Sequence, residues 1–130
     1  MFVQNLNAEQ QSALLAASQL LIASDGDVSE EEQVMLNTLA SQCELGVEAA
    51  GNFEILHLKD MFNTQTEKSS FMLELIGMAF ADADYHETEQ SFIFAASEAM
   101  ELAPDMLADM ESWVKTQLEL SNSVTKFMGE

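Results

Sequence analysis

A chain of 130 residues is long enough to bury roughly two-thirds of its unfolded surface in one core without disulfide or metal staples. Twenty-three acidic residues stand against four lysines and no arginine, and the formal net charge of −19 excludes nucleic acid as a partner, because no cationic face exists to meet phosphate. The lone Cys43 cannot form an internal disulfide, and the start Met1-Phe2-Val3-Gln4-Asn5 lacks the basic and apolar run of a secretion signal, so a cytoplasmic location is expected.

In chain order, Asn7-Ala8-Glu9-Gln10 reads as an N-cap with its capping-box partner. It opens a helix over Ala8–Ser24 with Leu14, Leu15, Leu20, Leu21 and Ile22 on a broad apolar face. The longest apolar stretch, Ala13 to Ala23, is broken by Ser18 and Gln19 and falls short of the ~20 residues a bilayer requires, so it predicts a core helix and no direct membrane insertion. An acidic turn, Asp25-Gly26-Asp27-Val28-Ser29, then leads into a second helix from about Glu30. Ser29-x-x-Glu32 caps that helix, Val34, Met35, Leu36 and Leu39 form its buried stripe, and Gly46 marks its end.

Between Val47 and Asn63 the apolar positions predict a third, shorter helix, with Gly51-Asn52 as a break near its start. Thr64-x-x-Glu67 opens a strongly apolar helix carrying Phe71, Met72, Leu73, Leu75, Ile76, Met78 and Phe80. A second acidic turn, Asp82-Ala83-Asp84-Tyr85-His86, precedes a helix over Glu87–Leu102 with Phe92, Ile93, Phe94, Ala96 and Met100. Pro104 suits the first turn of a last helix bearing Met106, Leu107, Met110, Trp113, Val114 and Leu118 at helical spacing. From Ser121 onward the chain is expected to fray or pack loosely.

Displaced by 57 residues, Asp25 falls on Asp82, Asp27 on Asp84, Glu30 on Glu87, Glu32 on Glu89 and Gln33 on Gln90. The pattern is an internal duplication of helix, acidic turn and helix, with units over roughly 8–45 and 65–102. It predicts one all-α domain over residues 1–130, a helical bundle with pseudo-two-fold symmetry that sets the two turns at one end.

The first turn matches the second half of an EF-hand loop and the second resembles it with Ala83 in place of Gly26, but Leu21 and Ala23, and Met78 and Phe80, stand where the first two carboxylate ligands belong. Oxygen donors at this density suit hard cations such as calcium, magnesium or manganese. Each residue also has an ordinary explanation: Asp25 and Asp27 are common turn residues, Glu30 and Glu31 favour a helix N-terminus, and Glu32 caps. Against that, both copies keep two aspartates close together, an arrangement that costs energy unless a cation or solvent screens them.

These residues, Asp25-Gly26-Asp27-Val28-Ser29-Glu30-Glu31-Glu32 after an Ala-rich helix and a second related turn, resemble the tellurite-resistance TerB-like family over roughly Ala8 to Leu118. The resemblance implies a duplicated helical cytoplasmic bacterial domain whose acidic clusters are proposed to bind divalent metal. It also implies an association with tellurite and other chemical stress and with membrane-linked partner complexes. Carried over by position, the metal-binding residues are Asp25, Asp27, Glu31 and Glu32 in the first turn and Asp82, Asp84 and Glu89 in the second. Thr88 stands where the first turn has Glu31, which makes the two sites unequal.

His57, His86 and Cys43 lack zinc spacing, and the charge of Glu44 beside Cys43 is expected to dull its thiol. No nucleophile, phosphate loop or organic-cofactor signature accompanies the carboxylates, so a binding protein is expected rather than an enzyme. Two readings stand: a divalent-cation-binding domain, and a metal-independent adaptor whose acidic surface meets a basic protein.

Overall fold

The computed structural model describes residues 2–24, 26–80 and 85–129. Local capping fixes where three helices begin. Asn7 Oδ1, Ser29 Oγ and Thr64 Oγ1 accept the backbone N–H of Gln10, Glu32 and Glu67 at 2.8, 3.1 and 3.1 Å. The three longer side chains return the bond to the cap N–H at 3.0, 2.9 and 3.3 Å. Each box satisfies two amides that the helix itself leaves without partners. At the third box the Asn63 N–H, with that of Thr64, holds the Glu67 carboxyl below its ordinary pKa.

The helices are α1 (Ala8–Ile22), α2 (Glu30–Gln42), α3 (Gln65–Ala79), α4 (Glu87–Ala99) and α5 (Pro104–Ser123). Short 3-10 turns lie at Val3–Asn5, Ile55–Asp60 and Val124–Met128, and there is no strand among the described residues. The bounds of α1 and α3 run from 8 to 65 and from 22 to 79, and those of α2 and α4 from 30 to 87 and from 42 to 99, a displacement of 57 each time. The offset read from the acidic residues is therefore also the offset of the helices.

Apolar residues around most of their circumference make α1 and α3 the central pair. Leu14, Ala17 and Leu21 from α1 and Phe71, Met72, Leu75 and Ile76 from α3 are all fully buried, and the two helices pack on each other. The one-sided helices surround them: α2 and α4 contact both, and α5 lies against α3 and α4. All five contribute to one apolar core, completed by Leu58 and Phe62 from the long connection.

That connection holds no α-helix. Its only helical part is the turn Ile55–Asp60, which packs on α4; the residues before it run irregularly, as Gly51-Asn52 requires. α4 ends in a Schellman motif, with Leu102 N–H donating to Ser97 O at 3.1 Å and Glu101 in the left-handed region at φ 60°.

Several apolar residues placed on buried faces by their spacing point outward. Leu20, Val34, Phe94, Met106 and Trp113 are exposed, and Met35 is half-buried. Beyond Leu118 every described residue is exposed, although α5 stays helical to Ser123 rather than fraying at Ser121.

Gly26 adopts φ +84°, and a Cβ built there meets nothing within 4 Å. Gly26→Ala is therefore expected to cost about 1 kcal/mol from backbone conformation alone, with Gly26→Asn costing less. Urea unfolding at constant m measures both; equal stability of all three proteins would refute the requirement for glycine.

Candidate metal centre

The first acidic turn begins where α1 stops. Ala23 caps α1, the Gly26 N–H reaches back to Ala23 O at 3.0 Å, and Asp27 and Val28 lead to the extended Ser29 cap. Glu30, Glu31 and Glu32 fill the first turn of α2, where the positive end of the helix dipole favours negative charge.

The second turn is tied down on both flanks. The rings of Phe80 and Tyr85 stack at a 4.7 Å centroid distance, tilted by 48°. Tyr85 donates its hydroxyl to Glu111 Oε2 on α5 at 2.5 Å, while Gln90 Nε2 donates to Tyr85 O at 2.9 Å. Burial, and then the bond to the Glu111 carboxylate, push the Tyr85 phenol far above its ordinary pKa. His86 stands at the N-cap of α4, where α2 has Ser29, and its N–H donates to Glu89 Oε1 at 3.0 Å.

The two turns meet. Ser24 Oγ at the end of α1 donates to Thr88 Oγ1 in the first turn of α4 at 3.2 Å. The contact joins residues 64 apart and sets the approach to the first turn against the helix that follows the second. Thr88, the residue that breaks the correspondence with Glu31, is thus the one that bonds the residue before the first turn.

The residues singled out from the sequence fall into three groups. Asp25, Asp82 and Asp84 lie outside the described residues. Asp27 and Glu31 are exposed on the first turn and on α2. Glu32 and Glu89 are buried, at 2% and 1% exposure, and each gives Oε1 to the N–H of its helix cap. The capping role offered for Glu32 is the observed one, and Glu89 matches it. Among the described residues no three His, Cys, Asp or Glu side chains converge closely enough to hold an ion.

Cys43 caps the end of α2 half-buried. Burial pushes its thiol pKa up, and the charge that adds to the effect is that of Glu74 on α3, not that of neighbouring Glu44. His57 is exposed, with Nδ1 accepting the Glu54 N–H at 3.1 Å.

The spacing of the acidic residues gave no sign of the Tyr85–Glu111 bond or of the contact between Thr88 and Ser24. The one available signal was Tyr85 itself, an aromatic residue directly after an acidic turn, whose hydroxyl needs a partner once the ring is buried. No protein-family model, no curated protein and no solved structure matches this chain.

Proposed function

We propose that the chain is a divalent-cation-binding helical module of the TerB-like type, which takes a hard ion such as calcium, magnesium or manganese where its two acidic turns adjoin. The Ser24–Thr88 hydrogen bond carries the reading. Half an EF-hand offers too few oxygens to close a coordination shell, and a neighbouring second half, backbone carbonyls and water supply more. In this arrangement Glu32 and Glu89 brace the helix ends, and the exposed Asp27 and Glu31 are left to offer oxygens to the ion.

The module acts by binding rather than by catalysis, in the bacterial cytoplasm, within a tellurite or chemical-stress response and beside membrane-linked partners. No helix among the described residues is long and apolar enough to cross a membrane.

Calorimetric or NMR titration with calcium, magnesium and manganese in ~0.15 M salt tests the proposal, because a Debye length of about 8 Å suppresses diffuse attraction to the acidic surface. An affinity on the order of 10⁻⁴ to 10⁻³ M for calcium is expected. Asp25→Asn and Asp82→Asn should weaken it, the first more than the second, whereas Glu119→Gln should not. Equal binding by all three variants, or shifts spread over the whole surface, would overturn the cation reading.

A second reading rests on a separate observation. A groove of about 480 Å³ between α4 and α5 is lined by Glu87, Gln90, Ser91, Phe94, Leu107 and Glu111. It continues past Glu98 and Glu101. Such a groove suits a basic amphipathic helix, and binding of such a partner that survives EDTA would favour the adaptor.

A further inference from the structure

α5 carries two apolar stripes, and only one of them is used. Leu107, Met110 and Val114 are buried in the bundle. Met106, Trp113 and Leu120 recur at intervals of seven and are 39%, 47% and 72% exposed; Phe127, seven further on in the terminal 3-10 turn, is 74% exposed. Val124, also exposed, adjoins Phe127.

The cover over this stripe is slight. Phe2 meets Trp113 edge-on at 5.9 Å, and Gln65 Nε2 donates to Met106 Sδ at 3.0 Å. A seven-residue interval keeps Met106, Trp113 and Leu120 on one face of the helix, as one of the two apolar rows of a helix-pair seam. This seam spans roughly 30 Å at 1.5 Å per residue.

The charges one position before each apolar residue say what fits the seam. They are Asp105, Ser112, Glu119 and Lys126, acidic at one end and cationic at the other. Against a parallel copy, Asp105 would lie level with Asp105 and Lys126 with Lys126. Against an antiparallel copy, Met106 meets Phe127, Trp113 meets Leu120, and Asp105 meets Lys126 twice by symmetry. The far half of α5 with its terminal turn also holds two of the chain's four cations, Lys115 and Lys126, so copies approaching there meet the least repulsion from a net charge of −19.

We infer that α5 is a self-association surface, pairing antiparallel with α5 of a second copy through Met106, Trp113, Leu120 and Phe127. The inference is independent of cation binding and is tested in EDTA, so that the two succeed or fail separately. One helix face is small against the ~800 Å² per partner of a standard stable interface, so the expected dissociation constant is on the order of 10⁻⁵ to 10⁻⁴ M. Repulsion between the acidic bodies makes association tighter in ~0.5 M than in ~0.05 M NaCl, the reverse of a charge-driven contact.

Sedimentation velocity on the full chain from ~5 to ~500 µM reads the monomer–dimer balance, and the single tryptophan, Trp113, reports from the seam. Its emission should shift to shorter wavelength as dimer forms. Leu120→Asp and Phe127→Asp should each weaken association by ~10-fold or more. Val34→Asp, on the exposed face of α2, should leave it unchanged. Lys126→Glu should weaken it and the double exchange Asp105→Lys, Lys126→Asp should restore it, a recovery that general loss of structure cannot mimic. A chain that stays monomeric at ~500 µM, or a dimer indifferent to Leu120→Asp and Phe127→Asp, would overturn the inference and leave the stripe to a partner of different sequence.

Discussion

Phe71→Ala is expected to lower stability by about 3–5 kcal/mol, the largest effect of any single truncation proposed here. Phe71 is fully buried on α3, and its ring meets that of Phe62 edge-on at 5.1 Å between centroids. Removing it forfeits transfer free energy and the aromatic contact, and leaves a cavity between the central helices and the long connection that the packed walls cannot fill. A domain of this size is stable by about 5–15 kcal/mol, so the variant should be partly unfolded near 40 °C. Phe94→Ala, on the exposed face of α4, should stay within about 0.5 kcal/mol of the parent. Urea unfolding followed by far-ultraviolet circular dichroism measures both, and equal midpoints for the two variants would contradict the assignment of the core.

Gln11→Met is expected to cost about 3 kcal/mol, although methionine keeps the volume and adds apolar surface. Gln11 is 2% exposed and ties three segments together. Its Nε2 donates to Val3 O and Leu6 O at 3.3 and 3.0 Å, and its Oε1 accepts the Glu44 N–H at 2.8 Å. Methionine takes this partner from Leu6 O and the Glu44 N–H, at about 1–3 kcal/mol for each one that water cannot reach, while Val3 O keeps the Leu6 N–H at 3.0 Å. Gln11→Glu should be at least as costly, because it retains the acceptor but turns a carboxylate toward two carbonyl oxygens. The same unfolding assay applies, with proteolysis at the amino terminus as a second readout. A Gln11→Met protein as stable as the parent would show that these bonds contribute nothing net.

Neighbouring Gln10 acts in a related way, donating Nε2 to Met61 O at 2.8 Å while its Oε1 closes the cap of α1. Both glutamines sit in a helix whose pattern marks them as ordinary polar positions. Sequence spacing assigned Gln10 its cap, since that partner is three residues away. It gave no sign of Met61, Val3 or Glu44, whose approach to α1 depends on how the connections cross it.

The candidate centre divides in the same manner. The Ser29–Glu32 box was legible, because it is set within a few residues of chain. So was the offset of 57, which the helix bounds repeat. That Glu89 would be buried, that Tyr85 would reach Glu111 and that Thr88 would meet Ser24 required the packed bundle.

By itself the sequence determined the all-helical class, the starts of the capped helices and the 57-residue offset that the helix bounds repeat. Capping, turn conformation and net charge depend on near neighbours in the chain or on composition alone. Only the tertiary structure decided which apolar residues form the core. Trp113 and Val114 are adjacent on α5 and both apolar, yet one is half exposed and the other buried. Hydrophobicity drives a side chain out of water without naming the surface that receives it, and on α5 that surface is set by α3 and α4, more than thirty and more than ten residues back along the chain.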